Sequence, residues 1–167
     1  MPRDAPGAGE ARRDETIDLS RLEAMVGYNI HILELLMVQL FFARFAPQAM
    51  TPGVFSTLLA IRDNPGARHG ALADALMIQR PNMTKLVNRL VRQGYVRRRS
   101  ARGDQRSVVL ALAPKGERAL DDLLAEMPAH EESLTACLGA DERRALLALL
   151  RKLARTARRP PVIDQTQ

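Results

Sequence analysis

The 167-residue chain has no tryptophan, a single cysteine and only 4% aromatic residues. One cysteine, Cys137, excludes an intramolecular disulfide and a cysteine-based zinc site. The three histidines, His31, His69 and His130, stand at no ligand-like spacing. Each reads as a satisfied or solvated side chain, and no metal or other cofactor is expected. Four Phe and two Tyr offer few platforms for stacking unpaired bases, so a single-stranded nucleic acid is a poor target. No nucleophile–base pair, phosphate-binding glycine loop or metal cluster is visible, and an enzyme is not expected. No apolar run approaches the roughly 20 residues needed to cross a bilayer. Residues 1–16 are polar and rich in Pro, Gly and Arg, without an apolar signal core. They read as a disordered tail, and the protein as cytoplasmic with no membrane partner.

What is present is charge, and it is local. Residues 80–106 hold nine Lys or Arg against one acid, Asp104, a net +8, while the whole chain carries +6. Everything outside this segment therefore sums to −2. A basic patch so confined is the electrostatic footprint of a nucleic-acid surface rather than of a generally basic protein. Hydrophobic residues at 46% supply a core, and Leu, Ala, Val and Met must fill it, which favours helices.

Ser20, with Glu23 three residues on, fits a capping box. Apolar residues then recur at Leu22, Val26, Ile30, Leu33, Met37 and Leu40, a helical period. Leu35, Leu36, Val38, Phe41 and Phe42 widen the stripe to most of the cylinder. A helix apolar nearly all round is covered on more than one side, either in a central core or by a second subunit. Pro47 closes it. Thr51-Pro52 opens the next helix, which stops at Asn64-Pro65-Gly66. A short helix over residues 68–77 and a second over 79–93 follow, the latter with Met83, Leu86, Val87 and Leu90 inward and Gly94 at its C-terminus. Strands over 95–99 and 107–112 flank a polar tip, 100–106. Pro114 starts a long helix through Pro128, where a kink is expected, ending at Gly139. Cys137 reads as a small apolar residue near its end. Asp141 caps a last helix with Leu146, Leu149, Leu150 and Leu153, and Pro160-Pro161 ends it. The fold class is mainly α with a small β-hairpin. The domain plan is a tail over 1–17, a single unit over 18–158 and a second tail over 159–167.

The order helix, helix, short helix, second short helix, basic hairpin, long helix, last helix resembles the MarR family of winged helix-turn-helix regulators, over about residues 19–158. Asn82-Met83-Thr84-Lys85-Leu86-Val87-Asn88-Arg89-Leu90 into Gly94-Tyr95-Val96-Arg97-Arg98 is similar to the family's recognition helix and first wing strand. Asp104-Gln105-Arg106 into Ala113-Pro114-Lys115-Gly116 is similar to its Asp-Arg-Arg wing motif and the Leu-Thr-x-x-Gly start of its long helix. Gln105 replaces an Arg and Ala113 a Thr. The first removes a charge from the wing and the second an N-cap.

The resemblance implies a winged helix-turn-helix over 51–112 and dimerisation through 18–46 and 114–158. It implies a homodimeric repressor on pseudo-palindromic double-stranded DNA. The second helix of such a motif enters the major groove. Here it offers Gln79, Arg80, Asn82, Thr84, Lys85, Asn88 and Arg89. Arg can pair with guanine, Asn with adenine, and Thr can meet the thymine methyl. Arg102 and Arg106 suit an adjacent minor groove, Arg97, Arg98 and Arg99 suit phosphates, and Asp104 would hold the wing in shape. The resemblance also implies an effector, a small aromatic or phenolic acid or an acyl-CoA, drawing on Tyr28, His31, Met37, Phe41, Met50 and Phe55, though the same residues suit a plain core. A peroxide-sensing branch needs a cysteine near the first helix, and this chain has none there. Two other readings of the basic patch remain: a protein–protein adaptor for an acidic partner, and an architectural DNA binder without sequence preference.

Overall fold

The computed structural model describes residues 17–45, 47, 50–101 and 104–158, with the backbone alone given for residues 101 and 104–108. Its elements are α1 (Ser20–Glu23), α2 (Val26–Phe45), α3 (Pro52–Asp63), α4 (His69–Ala75), α5 (Arg80–Arg92), β1 (Val96–Ala101), β2 (Asp104–Leu112), α6 (Pro114–Leu134) and α7 (Ala140–Ala157). The mainly helical architecture with one antiparallel hairpin matches the expected fold class. Both expected tails fall outside the described residues, apart from Ile17. Two compact units are present, one ending at Leu36 and the other beginning at Met37.

In the first unit, the single helix expected from Ser20 onward is interrupted. The Ser20 backbone N–H donates to the Asp18 carboxylate at 2.9 Å, and this bond, with a second from the Ser20 side chain, holds the Asp18 carboxyl below its ordinary range. Leu19 occupies the N-cap position, so Ser20 opens the helix without capping it. Helicity lapses at Ala24 and Met25. Asn29 ties the lapse together, donating from Nδ2 to the carbonyls of Glu23 (2.7 Å) and Met25 (2.8 Å).

One expectation about the apolar runs needs correction. α2 is 20 residues long with a mean hydropathy of 1.5, so by length and composition it is able to cross a membrane, and only 6% of that stretch is buried. Asn29, His31, Glu34, Gln39 and Arg44 interrupt the run when it is read residue by residue, but they are too few to lower its mean.

The second unit holds the core. Phe45, Leu58, Ile61, Met83, Leu90, Leu120 and Leu123 are fully or almost fully buried, drawn from α2, α3, α5 and α6. Thr51 caps α3 as expected, its Oγ1 accepting from the Val54 N–H at 3.2 Å, with Pro52 in the first turn. His130 is 4% exposed, packed edge-on against Phe41 and Phe45 with ring centroids at 5.9 and 5.3 Å.

Both short helices of the central motif end alike. After α4, the Ile78 N–H reaches the Ala73 carbonyl and the Met77 N–H that of Asp74. After α5, Tyr95 reaches Leu90 and Gly94 reaches Val91. This pattern requires a left-handed residue at its corner. Gly94 takes it at φ +76, and Met77 takes it at φ +54.

β1 and β2 pair from Val96↔Leu112 to Ser100↔Val108, with an irregularity at Ala101↔Asp104. The strands reach further into the tip than the expected limits of 99 and 107, because backbone pairing continues through the polar residues. The Leu110 N–H also reaches the Ala67 carbonyl, tying the hairpin to the segment before α4. α6 is anchored on the hairpin's root. The Ala113 N–H donates to the Tyr95 carbonyl, Lys115 Nζ donates to the Gln93 carbonyl at 3.0 Å, and the same Nζ lies 4.5 Å from the Tyr95 ring centroid. A Cβ on Gly116 would meet the Tyr95 carbonyl oxygen at 2.1 Å. Only glycine allows this approach.

α6 runs through Pro128 and stops at Leu134, earlier than the expected Gly139. Thr135, at φ −117, leaves helical space while its hydroxyl donates back to the Glu131 carbonyl. Gly139 instead precedes α7, its N–H donating to Glu142 Oε2 at 2.7 Å. Asp141, expected as the cap, lies inside the first turn. Cys137 sits in the intervening turn and is exposed, so it is not the small apolar packing residue expected.

Candidate nucleic-acid interface

α5 is the centre of the site. Met83, Val87 and Leu90 bury one side of it. Gln79, just before it, and Arg80, Asn82, Thr84, Lys85, Asn88, Arg89 and Arg92 on it are exposed. The i, i+4, i+7 spacing of the buried residues leaves the other side of the cylinder to polar groups. Pro81, in the first turn, lacks the N–H that would have no partner there. Of the four residues expected to face inward, Met83, Val87 and Leu90 are buried and Leu86 is half-buried.

The polar residues differ in how free they are. Arg80 is tied back to α4, with Nη2 at 3.0 Å and Nε at 3.4 Å from the two oxygens of Asp74. Both partners are largely exposed, so the pair is worth at most about 1 kcal/mol, yet it orients the guanidinium across the turn between the helices. Arg98 Nη2 donates to Asn88 Oδ1 at 2.5 Å, joining β1 to α5. Arginine has only donors, so this contact assigns the amide's orientation and leaves its NH₂ outward as a donor. Thr84 Oγ1 lies 3.0 Å from the Arg80 carbonyl and 3.0 Å from His69 Nε2.

Lys85, Arg89 and Arg92 on α5, and Arg97 and Arg99 on β1, have no acidic partner among the described residues. They are exposed. Their charge is available to an anion. His69, Thr84, Val87, Arg98 and Leu110 line a cleft of about 340 Å³ where the start of α4, α5 and the hairpin meet. Helix and basic hairpin therefore form one surface. Arg102 lies outside the described residues, as do the side chains of Asp104 and Arg106.

Sequence reading missed His69 and Asp74 as parts of this surface. Their partners lie 15 and 6 positions away. The tight turn through Met77 sets both contacts, and no periodicity encodes them.

Of the effector candidates, Tyr28 and His31 belong to the first unit and the other four to the second. Phe41 and Met50 are buried in the core, and Phe55 packs against it, its ring 6.2 Å from that of Phe41. Met37 is half-buried. Among the described residues no three of His, Cys, Asp and Glu come together as a metal site requires.

Comparison with known proteins agrees with this geometry. The MarR family profile matches residues 50–107. A protein described as the transcriptional regulatory protein for the hcr operon of Thauera aromatica is 32% identical over 65% of either chain, just under two thirds of its length. The transcriptional repressor NicR of Pseudomonas putida is 31% identical, over 66% of this chain and 73% of that one. Among solved structures, the repressor CouR bound to a 23-mer DNA duplex superposes with a TM-score of 0.78 at 33% identity, covering 84% of this chain and 99% of CouR. CouR has also been solved with p-coumaroyl-CoA, with a TM-score of 0.76. These relatives are regulators rather than enzymes. With α4 and α5 as its helix-turn-helix and β1–β2 as its wing, the chain belongs to the MarR family of winged helix-turn-helix, DNA-binding transcriptional regulators.

Proposed function

We propose that the protein is a homodimeric, sequence-specific repressor that acts on double-stranded DNA in the cytoplasm and leaves a pseudo-palindromic operator when a small organic anion binds. The observation that carries the DNA reading is α5: a buried stripe of Met83, Val87 and Leu90 holds an exposed row of amides and unpaired cations beside a basic wing. Unpaired cations supply phosphate affinity, and amides supply base readout. A purely architectural binder would not need the amides.

The dimer reading rests on α7 and the apolar side of α2. No residue of α7 is buried, and Leu147, Leu149, Leu150 and Leu153 are all exposed, as are Ile30, Leu33, Leu36 and Leu40 on α2. So much exposed apolar surface on a small protein marks a contact surface. A second copy is the occupant that fits a two-fold DNA site, since one chain covers only a half-site. The exposed apolar side of α2 explains why that helix passes the length and composition test for a membrane span.

For the effector we propose an aromatic or phenolic acid or its CoA thioester, the latter being the class found on CouR. Within the second unit, Met37 and Phe55 are the half-buried side chains with atoms to offer it. Release requires tighter binding to the DNA-incompetent conformation, because equal affinity for both would shift nothing.

The test is equilibrium binding of the full-length protein to the DNA upstream of its own gene and to a matched random duplex, at two salt concentrations. We expect a preference of about a thousandfold or more, lost on adding one member of a panel of aromatic acids and their CoA thioesters. Equal and steeply salt-dependent binding to both duplexes would refute the sequence-specific reading.

A further inference from the structure

Threonine can address a base in two ways, through a hydroxyl that serves several bases or through a methyl that packs on the C5-methyl of thymine. At Thr84 the structure separates the two. Its Oγ1 lies 3.0 Å from the carbonyl of Arg80, one turn back on α5, and 3.0 Å from Nε2 of His69 at the first position of α4. The hydroxyl has a single proton. If the Arg80 carbonyl receives it, His69 must donate from Nε2, because two acceptors cannot face each other at this distance. The reverse, with His69 receiving it, would leave Oγ1 and the Arg80 carbonyl as two acceptors 3.0 Å apart, so the first assignment holds. The hydroxyl therefore has no proton to give to a base edge. The paired contacts also hold χ1 of a β-branched side chain in one staggered well. Thr84 nonetheless remains exposed. One lone pair remains to accept from a base amino group, but the hydroxyl cannot donate to the O4 of thymine, so a contact with thymine falls to the γ-methyl.

His69 is not on the recognition helix. It opens α4, whose Leu72 and Ala73 are buried in the core, so its position relative to α5 is set by helix packing rather than by solvent.

We propose that Thr84 reads the methyl of a thymine in the major groove and that His69 is the positioning residue that reserves it for this task. The inference rests on the DNA reading above, with α5 as the helix that enters the groove.

The experiment selects duplexes from a randomised pool with the full-length protein and repeats the selection with Thr84→Val, Thr84→Ser, His69→Gln and His69→Leu. The wild type enriches thymine at one position in each half-site. Thr84→Val, which keeps the methyl and loses both hydrogen bonds, retains that preference. Thr84→Ser, which keeps the hydrogen bonds and loses the methyl, does not. His69→Gln places a donor near the former Nε2 and rescues the preference that His69→Leu relaxes. On the selected duplex, replacing that thymine with deoxyuridine removes only a methyl group. It weakens the wild type about fourfold per half-site, the worth of one buried methyl, and leaves Thr84→Ser unchanged. The proposal is overturned if serine keeps the preference while valine loses it, or if deoxyuridine binds the wild type as well as thymine does. Enrichment of a motif in which every thymine tolerates this replacement would remove Thr84's role and leave the DNA reading intact. No enrichment by the wild type would overturn both.

Discussion

α5 and α7 are both amphipathic helices bearing leucines at helical spacing and several arginines, yet they end in opposite states. The apolar stripe of α5 is sealed, with Leu90 and Met83 at 0% exposure, whereas on α7 Leu149 and Leu153 stand at 58% and 48%. The winged-helix core closes around α5 within one chain, because α4 and β1 pack on it and its buried stripe joins a core that includes residues of α3, β2 and α6. α7 follows a turn at the end of α6 and finds no such company. One stripe is closed within a single chain and the other is left open. On the proposed function, the closed helix is the one that meets DNA and the open face is the one suited to a second copy.

Substitutions on the two helices should therefore fail differently. Leu90→Ala empties a fully buried site and should lower stability by about 2–5 kcal/mol, seen as a fall in Tm in thermal unfolding. Leu149→Glu with Leu153→Glu should leave the fold in place by circular dichroism, halve the mass in solution, and cut operator affinity by about a hundredfold or more, since two linked half-sites bind with avidity that one lacks. Truncating an unpaired cation of α5, as in Arg89→Ala, should weaken DNA binding and reduce the slope of log affinity against log salt by about 0.9, with Tm unchanged. The two helix corners sharpen the comparison further. Met77→Gly should stabilise by about 0.5–1 kcal/mol by relieving a left-handed residue, and Gly94→Ala should destabilise by a similar amount, both read from denaturant midpoints. The smallest effect is at Asp18. Its folded pKa is lowered by the Ser20 hydrogen bonds, so its contribution is complete above the ordinary value of 3.8 and is lost as pH falls through the lowered one. The Ser20 amide resonance, followed by NMR, should report that loss.

The parts of this molecule governed by short-range rules were legible in the sequence. Thr51-Pro52, Gly94 and the Met83–Val87–Leu90 stripe each act within one or two turns of helix, and each does what its residue type dictates. The confinement of charge to residues 80–106 pointed to the same surface that the fold assembles. What was not legible depends on contacts across turns. Asp18 reaches the Ser20 N–H and displaces the expected cap. Asn29 bridges a lapse in the first helix that apolar periodicity alone does not reveal. The Thr135 hydroxyl draws back on its own helix and ends it before Gly139. At the site, the pairings of Arg80 with Asp74, Asn88 with Arg98 and Thr84 with His69 turn a row of equivalent polar residues into a set with different freedoms. A linear sequence lists those residues without saying which are already engaged.

The central claim is that one chain is half of a DNA-reading device, completed by a second copy along α7 and α2. Sedimentation equilibrium of the full-length protein at micromolar concentration, without DNA, tests it most directly. The account predicts a single species of twice the 18.5 kDa chain mass, reduced to one chain by Leu149→Glu with Leu153→Glu. A wild-type protein that sediments as a single 18.5 kDa chain would contradict it.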